Sequence, residues 1–312
     1  MVTTIAAVTQ ETASARPDRS TGRSVRERIA GAPISWGVCE VPGWGYQLDV
    51  TTVLGQMREL GLGATELGPE GFLAADAEEK ASQLRSYGLR AVGGFLPVLL
   101  HDPAHDPLPD VERFIDSCVA IGGKVVVLAA YTGGDGYDDR PVLDDEGWAV
   151  LLGNLDRIDT LATSRDVVAA LHPHVGTMVE SGNETERVLE GSRIGLCVDT
   201  GHLVVAGADP VALTAEHPSR VVHVHLKDVD ADIAARVRAG ETTFGAAVRA
   251  GMFRPLGDGD VGIAEMVRTL ENAGYDGWYV LEQDVMLDGP GDGDAPYADV
   301  KSSLDFLERV TG

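Results

Sequence analysis

Val221 to Asp228 reads VVHVHLKD, and the order of those residues decides the fold. β-Branched apolar residues come first, while His225, Lys227 and Asp228 come last, so a strand here is apolar at one end and polar at the other. Three further runs share this plan: Val167 to Thr177 (VVAALHPHVGT), Gly195 to His202 (GLCVDTGH) and Trp278 to Asp284 (WYVLEQD). Five of the eight histidines fall in three of these runs, and the fourth run ends in Glu282 and Asp284 instead. Four runs from separate parts of the chain, polar at the same end, imply one site at the C-terminal rim of a parallel barrel. Imidazole nitrogens and carboxylate oxygens in one place suit a divalent metal such as Mn, Co, Fe or Zn.

Outward from these runs, short apolar segments alternate with helical patterns. Strands are expected at Pro33–Gly37, Ala64–Leu67, Ala91–Leu96 and Val125–Ala129, then at Val167–Leu171, Ile194–Val198, Val221–Val224 and Trp278–Leu281. Val125 to Ala129 is apolar throughout, as a strand covered on both faces should be. Between the strands, Val50, Val53, Leu54, Met57 and Leu60 recur at helical spacing, with Asp49 placed as N-cap and Gly61 as stop. Ala77 to Tyr87, Val111 to Cys118 and Trp148 to Leu161 repeat the pattern. Eight strands alternating with helices predict an α/β fold, a single-domain (β/α)8 TIM barrel over residues 29–312. A doubly wound open sheet is the rival, but Ser35 to Glu40 offers no GxGxxG turn. The longer segment from Asp230 to Gly259 is expected to form an extra helix and loop beside the site mouth. Residues 1–28, rich in Thr, Ala, Ser and Arg, read as a flexible N-terminal tail.

Composition narrows the partners. With 25 basic and 49 acidic residues the chain carries a formal charge of −24. Such a surface repels phosphate backbones and anionic lipid, so neither nucleic acid nor membrane is an expected partner. No apolar run approaches the ~20 residues of a membrane span. Cys39, Cys118 and Cys197 are scattered without CxxC spacing, which fits a reducing cytoplasm. Assembly into a homo-oligomer stays open.

Several residues suit chemistry. Asp199 and His202 form DxxH just past a strand; Asp199 also fits a helix cap. His223 and His225 differ by two and so point to one side of their strand. His225, at the strand end, is the better ligand, and His223 lies one layer deeper. The same parity joins His172 and His174, where Pro173 leaves the choice of ligand open. Lys227 suits an oxygen that gains negative charge, or a pair with Asp228. Glu282 suits a metal or a pair with Lys227. Glu66, ending the second strand, and Trp36 and Tyr131, ending the first and fourth, are candidate substrate contacts.

The blocks APISWG, EVPGWG, GATELGPEGF, LHPHVGT, DTGHL, VHVHLKD, GMFRPLGDGD and WYVLEQD resemble the sugar phosphate isomerase/epimerase superfamily, barrels similar to xylose isomerase. More closely they resemble inosose dehydratases, which remove water from 2-keto-myo-inositol. The resemblance covers nearly everything after the tail. It implies a divalent metal, Mn or Co, held by His172, Asp199, His225 and Glu282. Many epimerases of the superfamily have Glu where this chain has His172, which favours the dehydratase type.

The expected function is therefore a metal-dependent lyase dehydrating a keto-cyclitol or related keto-sugar through a stabilised enolate. His174, His202, Lys227 and Glu282 are the candidates for moving its protons. A keto-sugar isomerase or epimerase is the nearest alternative, with a β-eliminating lyase on a 3-keto glycoside as a variant. An abasic-site endonuclease of the same superfamily would need a basic groove, which the −24 charge opposes.

Overall fold

The strand that VVHVHLKD promises runs from Val221 to Leu226, with parallel neighbours on both sides. The computed structural model describes residues 22–134, 136–138 and 140–312. Eight strands form the barrel: β1 (Ile29–Gly31), β2 (Ala64–Thr65), β3 in two pieces (Arg90–Ala91 and Gly93–Leu99), β4 (Val125–Tyr131), β5 (Val168–Leu171), β6 (Gly195–Asp199), β7 (Val221–Leu226) and β8 (Tyr279–Leu281). Their order around the sheet is β3-β2-β1-β8-β7-β6-β5-β4-β3, all parallel.

Closure happens at the break in β3. The first piece pairs with β2 and the second with β4. Val92 joins them, donating its N–H to the Thr65 carbonyl at 2.9 Å while its own carbonyl accepts from Val125 N at 3.1 Å. Gly93 makes the crossing feasible. It sits at φ +155°, and a Cβ there would lie 1.8 Å from the Val125 carbonyl oxygen. Gly93→Ala is therefore expected to destabilise the fold by about 3 kcal/mol or more, because strain and backbone overlap add. Urea unfolding checks this; an unchanged midpoint would remove Gly93 from the closure.

Small residues such as Ala30, Ala64, Ala170 and Cys197 fill the barrel interior, where facing strands leave little room. Larger residues pack between the strands and the outer helices. Asp49 caps the first long helix (Val50–Glu59) through the amides of Thr51 and Thr52, and Gly61 follows at φ +74°. Among the described residues no helix is long and apolar enough to cross a membrane.

Two expectations need correction or bounding. The first strand is not Pro33–Gly37. Pro33–Trp36 is a 3-10 helix with Pro at its start and Gly37, at φ 78°, at its end; the strand is Ile29–Gly31. The tail expected over residues 1–28 lies outside the described residues as far as residue 21. Its last residue, Arg28, is buried and pairs with Glu271 at 2.6 Å.

Candidate active site and metal centre

β5, β6, β7 and β8 set their terminal polar residues side by side. Asp199 ends β6 opposite His225 of β7 in register, His172 follows β5 directly, and Glu282 follows β8. The chain direction brings all four to one rim. The deeper position on β7 belongs to His223, which reaches across to Glu66, just past β2.

Each carboxylate oxygen has its own task. Asp199 Oδ1 accepts from the amides of Gly201 and His202, both at 2.9 Å, and so caps the helix Thr200–Val205. The cap leaves Oδ2 turned inward, 3.1 Å from His172 Nε2, 3.5 Å from His225 Nδ1 and 2.8 Å from Lys227 Nζ. Glu282 divides likewise, Oε1 lying 2.6 Å from Lys227 Nζ and Oε2 2.6 Å from His225 Nδ1. The helix cap expected of Asp199 and the Lys227 pair expected of Glu282 are both present, and each residue keeps its other oxygen turned toward the histidines. Lys227 is paired with Asp199, Glu282 and, at 3.3 Å, Asp284. It does not pair with Asp228, whose oxygens accept from the amides of Val229, Gly257 and Val261.

The donor set passes a test for a divalent ion. His172 Nε2, His225 Nδ1 and Glu282 Oε2 are buried and make no well-aligned hydrogen bond; their polar neighbours are one another and Asp199 Oδ2. They nevertheless crowd within 2.6–3.5 Å of one another's neighbours through Asp199 Oδ2. Asp199, His225 and Glu282 each offer an atom within 4.8 Å of the other two, and His172 adjoins them through Asp199 Oδ2, a cluster compact enough for small shifts to close on one ion at ~2.0–2.2 Å. Two imidazoles and two carboxylates suit Mn, Co, Fe or Zn. Behind His225, Glu66 Oε1 lies 3.1 Å from its Nε2 and 2.8 Å from His223 Nε2, which turns Nδ1 toward the centre. Burial would raise the Glu66 carboxyl, but His225 and His223 hold it below the usual range.

Above this layer, His174 and His202 stack with ring centroids 3.7 Å apart. His174 Nδ1 lies 2.7 Å from the Val175 carbonyl, so Nδ1 carries the proton and Nε2 the lone pair. Burial pushes the His174 pKa down to about 3, and pushes that of His202 well below its ordinary value, so both rings are neutral. Burial also lifts the Asp284 carboxyl to about 7, with help from Glu282 and Asp199 and against Lys227. Tyr137 stacks on His174 at 5.6 Å, while Phe244 and Phe253 lie 5.6 and 6.2 Å from His202. These phenylalanines come from the segment after β7. It forms two helices (Ala231–Arg238 and Phe244–Arg249) and a short antiparallel pair, Asp228–Val229 with Phe253–Arg254.

The structure gathers His172, His174, Asp199, His202, His225, Lys227 and Glu282 into one cluster. Two of the expected substrate contacts, Trp36 and Glu66, are buried side chains with partners inside the protein. Trp36 is fully buried in the core, its indole N–H donating to Gln56 Oε1 at 2.7 Å. Glu66 is turned into the barrel toward two histidines. Tyr131 does end β4 and is 38% exposed. Cys197 and Tyr137 were not foreseen as neighbours of the site, and Asp284 was placed at the rim without a role. Cys197 Sγ lies within ligand distance of His172 and His225, and burial lifts its thiol to about 11.

Comparison with known proteins agrees with this fold. The family model for the xylose isomerase-like TIM barrel matches residues 54–310. An inosose dehydratase of Geobacillus thermodenitrificans is 30% identical over 275 residues, 84% of this chain and 92% of that protein. The rhizopine catabolism protein MocC of Rhizobium meliloti is 34% identical over 268 residues, 82% of this chain and 81% of its own. Among solved structures, the IOLI protein with a bound zinc atom superposes with a TM-score of 0.66 at 12% identity, covering 91% of this chain and 98% of that one. The chain belongs to the xylose isomerase-like TIM barrel family.

Proposed function

We propose that the chain is a carbon–oxygen lyase that uses a divalent metal, Mn or Co, to dehydrate a keto-cyclitol such as 2-keto-myo-inositol. One observation carries this reading: the buried His172 Nε2, His225 Nδ1 and Glu282 Oε2 gather around Asp199 Oδ2 beside a lysine and a stacked histidine pair. The inosose dehydratase relatives support it, as does the zinc held by the IOLI protein. The −24 charge favours a small neutral sugar over nucleic acid or membrane, and three free cysteines suit the cytoplasm.

A bound ion would act as a Lewis acid on the ketone oxygen, making the neighbouring C–H acidic. The chain's own residues then move protons. His174 Nε2 takes the proton from that carbon, its lone pair kept available by the Nδ1 bond to Val175. The hydroxyl on the next carbon leaves with a proton as water, and a C=C bond forms between the two carbons. Lys227 and Asp284 are the donors, and an Asp284 pKa of about 7 suits that task near neutrality. Tyr137, Phe244 and Phe253 shield the histidines from water.

The experiment is incubation of metal-loaded protein with scyllo-inosose in deuterated water. The expected product is lighter than the substrate by one water, before counting deuterium, and absorbs in the ultraviolet as a conjugated enone. An intact skeleton with inverted stereochemistry and one deuterium would make the chain an epimerase instead.

A further inference from the structure

At the opposite end of the barrel lies a second cavity, of about 480 Å³. Arg90 opens β3 there, Lys124 and Trp278 directly precede β4 and β8, and Arg23 leads toward β1. Of the twelve described residues that line it, four are cationic (Arg23, Arg85, Arg90 and Lys124) and none is acidic. The chain has 49 acidic residues against 25 basic ones, so a wall with this balance reverses the sign of the surface around it.

The cations are crowded rather than dispersed. The Arg23 and Arg90 guanidiniums lie 4.9 and 5.4 Å from the centre of the Trp278 ring, two cations on one indole. Burial and the Arg90 charge together depress the Arg23 pKa, the mark of like charges held close. Lys124 pairs with Asp166 at 2.9 Å, Arg23 donates to the Asp276 carbonyl at 3.3 Å, and Asp276 and Glu27 partly offset its charge. Glu27 also feels the Arg90 charge, while neither Arg85 nor Arg90 makes a close ion pair among the described residues. Leu84, Leu89 and Ile121 supply an apolar floor. A cavity of this size, apolar below with a few convergent charges above, is of the kind that takes small molecules.

We propose that this cavity binds a small organic oxyanion, a phosphate or carboxylate joined to a flat apolar body. The anion would lie against Arg90, Arg23 and Arg85, whose planar forks match oxyanions two bonds at a time. The body would lie beside Trp278 and over Leu84 and Ile121. The cavity is separate from the rim site, since the two occupy opposite ends of the strands.

Isothermal titration of the full chain with phenyl phosphate, benzoate and inorganic phosphate tests this. Phenyl phosphate and benzoate should bind at one site, and phenyl phosphate should bind more tightly than inorganic phosphate. Added salt should weaken all three. Arg90→Gln should weaken phenyl phosphate about tenfold or more, with turnover of the rim site unchanged. Arg85→Gln, on an exposed helix face, gives the same test should Arg90→Gln disturb folding. The proposal is overturned if no probe binds, if inorganic phosphate binds as tightly as phenyl phosphate, or if both variants bind like the parent chain. Loss of binding on Asp199→Ala, with Arg90→Gln silent, would move the anion to the rim and overturn it equally.

Discussion

Asp199→Asn is expected to empty the metal centre and abolish dehydration while leaving the local fold in place. The asparagine oxygen can still accept the amides of Gly201 and His202, which Asp199 Oδ1 accepts now. The inward oxygen loses its charge beside His172, His225 and Lys227. Loss of groups that merely orient metal ligands lowers affinity ~10–100-fold, so loss of a ligand charge should exceed about 100-fold. Asp199→Ala should do the same and also cost about 1 kcal/mol for the missing cap. The comparison of the two variants separates the two oxygens. Elemental analysis of purified protein and enone absorbance after addition of scyllo-inosose are the measurements. Full metal content with full turnover in Asp199→Asn would refute the metal centre.

The rim was legible because strand direction forces it. Once Val221–Leu226 and its three companions are parallel, their last polar residues have nowhere else to gather, and Asp199 meets His225 in register. The first strand was illegible for the opposite reason. Ile29–Gly31 is three residues long, and its Ala and Gly suit a crowded interior rather than any strand pattern. Nearby, Pro33-Ile-Ser-Trp alternates like a strand, yet Pro33 starts a turn and Gly37 ends it in a left-handed conformation. One missed neighbour was within reach of the parity rule applied to His223 and His225: Cys197 is two residues before Asp199. The role of Glu66 was not within reach, since its bond to His223 spans 157 residues. Nor was the cover of Tyr137 and Phe244, fixed by Asp138 accepting the Phe244 amide across 106 residues.

Lys227→Met should make the protein lose stability more steeply as pH rises when metal is absent, adding to the loss that the raised Asp284 carboxyl already causes in the parent. In the parent chain the buried ammonium lies 2.8 Å from Asp199, 2.6 Å from Glu282 and 3.3 Å from Asp284. Burial alone would lower the Lys227 pKa, yet these carboxylates hold it well above the ordinary lysine value. In return, Asp199 and Glu282 are held below the usual carboxylate range despite burial, by Lys227 together with nearby histidines. Carboxyls with depressed folded pKa values add stability above their unfolded pKa and lose it as pH falls through the folded one. Methionine fills much of the same space but brings no charge. Only His225 then remains as a cation beside Asp199 and Glu282, burial weighs more heavily on both, and their folded pKa values rise, so the folded state binds protons more readily than in the parent. Stability of chelator-treated variant should therefore fall more steeply than the parent's as pH rises between about 4 and 7. At neutral pH the deficit against the parent should be about 3–5 kcal/mol, as for other buried charges stripped of a partner. A divalent ion replaces the missing charge, so added Mn should return more stability to the variant than to the parent. Turnover should still fall ~10²–10³-fold, because an ion held by the carboxylates does not replace a donor for developing negative charge. Urea titrations across pH, with and without metal, read every part of this. A variant with the parent's stability and the parent's pH slope in chelator would show that Lys227 is not the cation on which the three carboxylates depend.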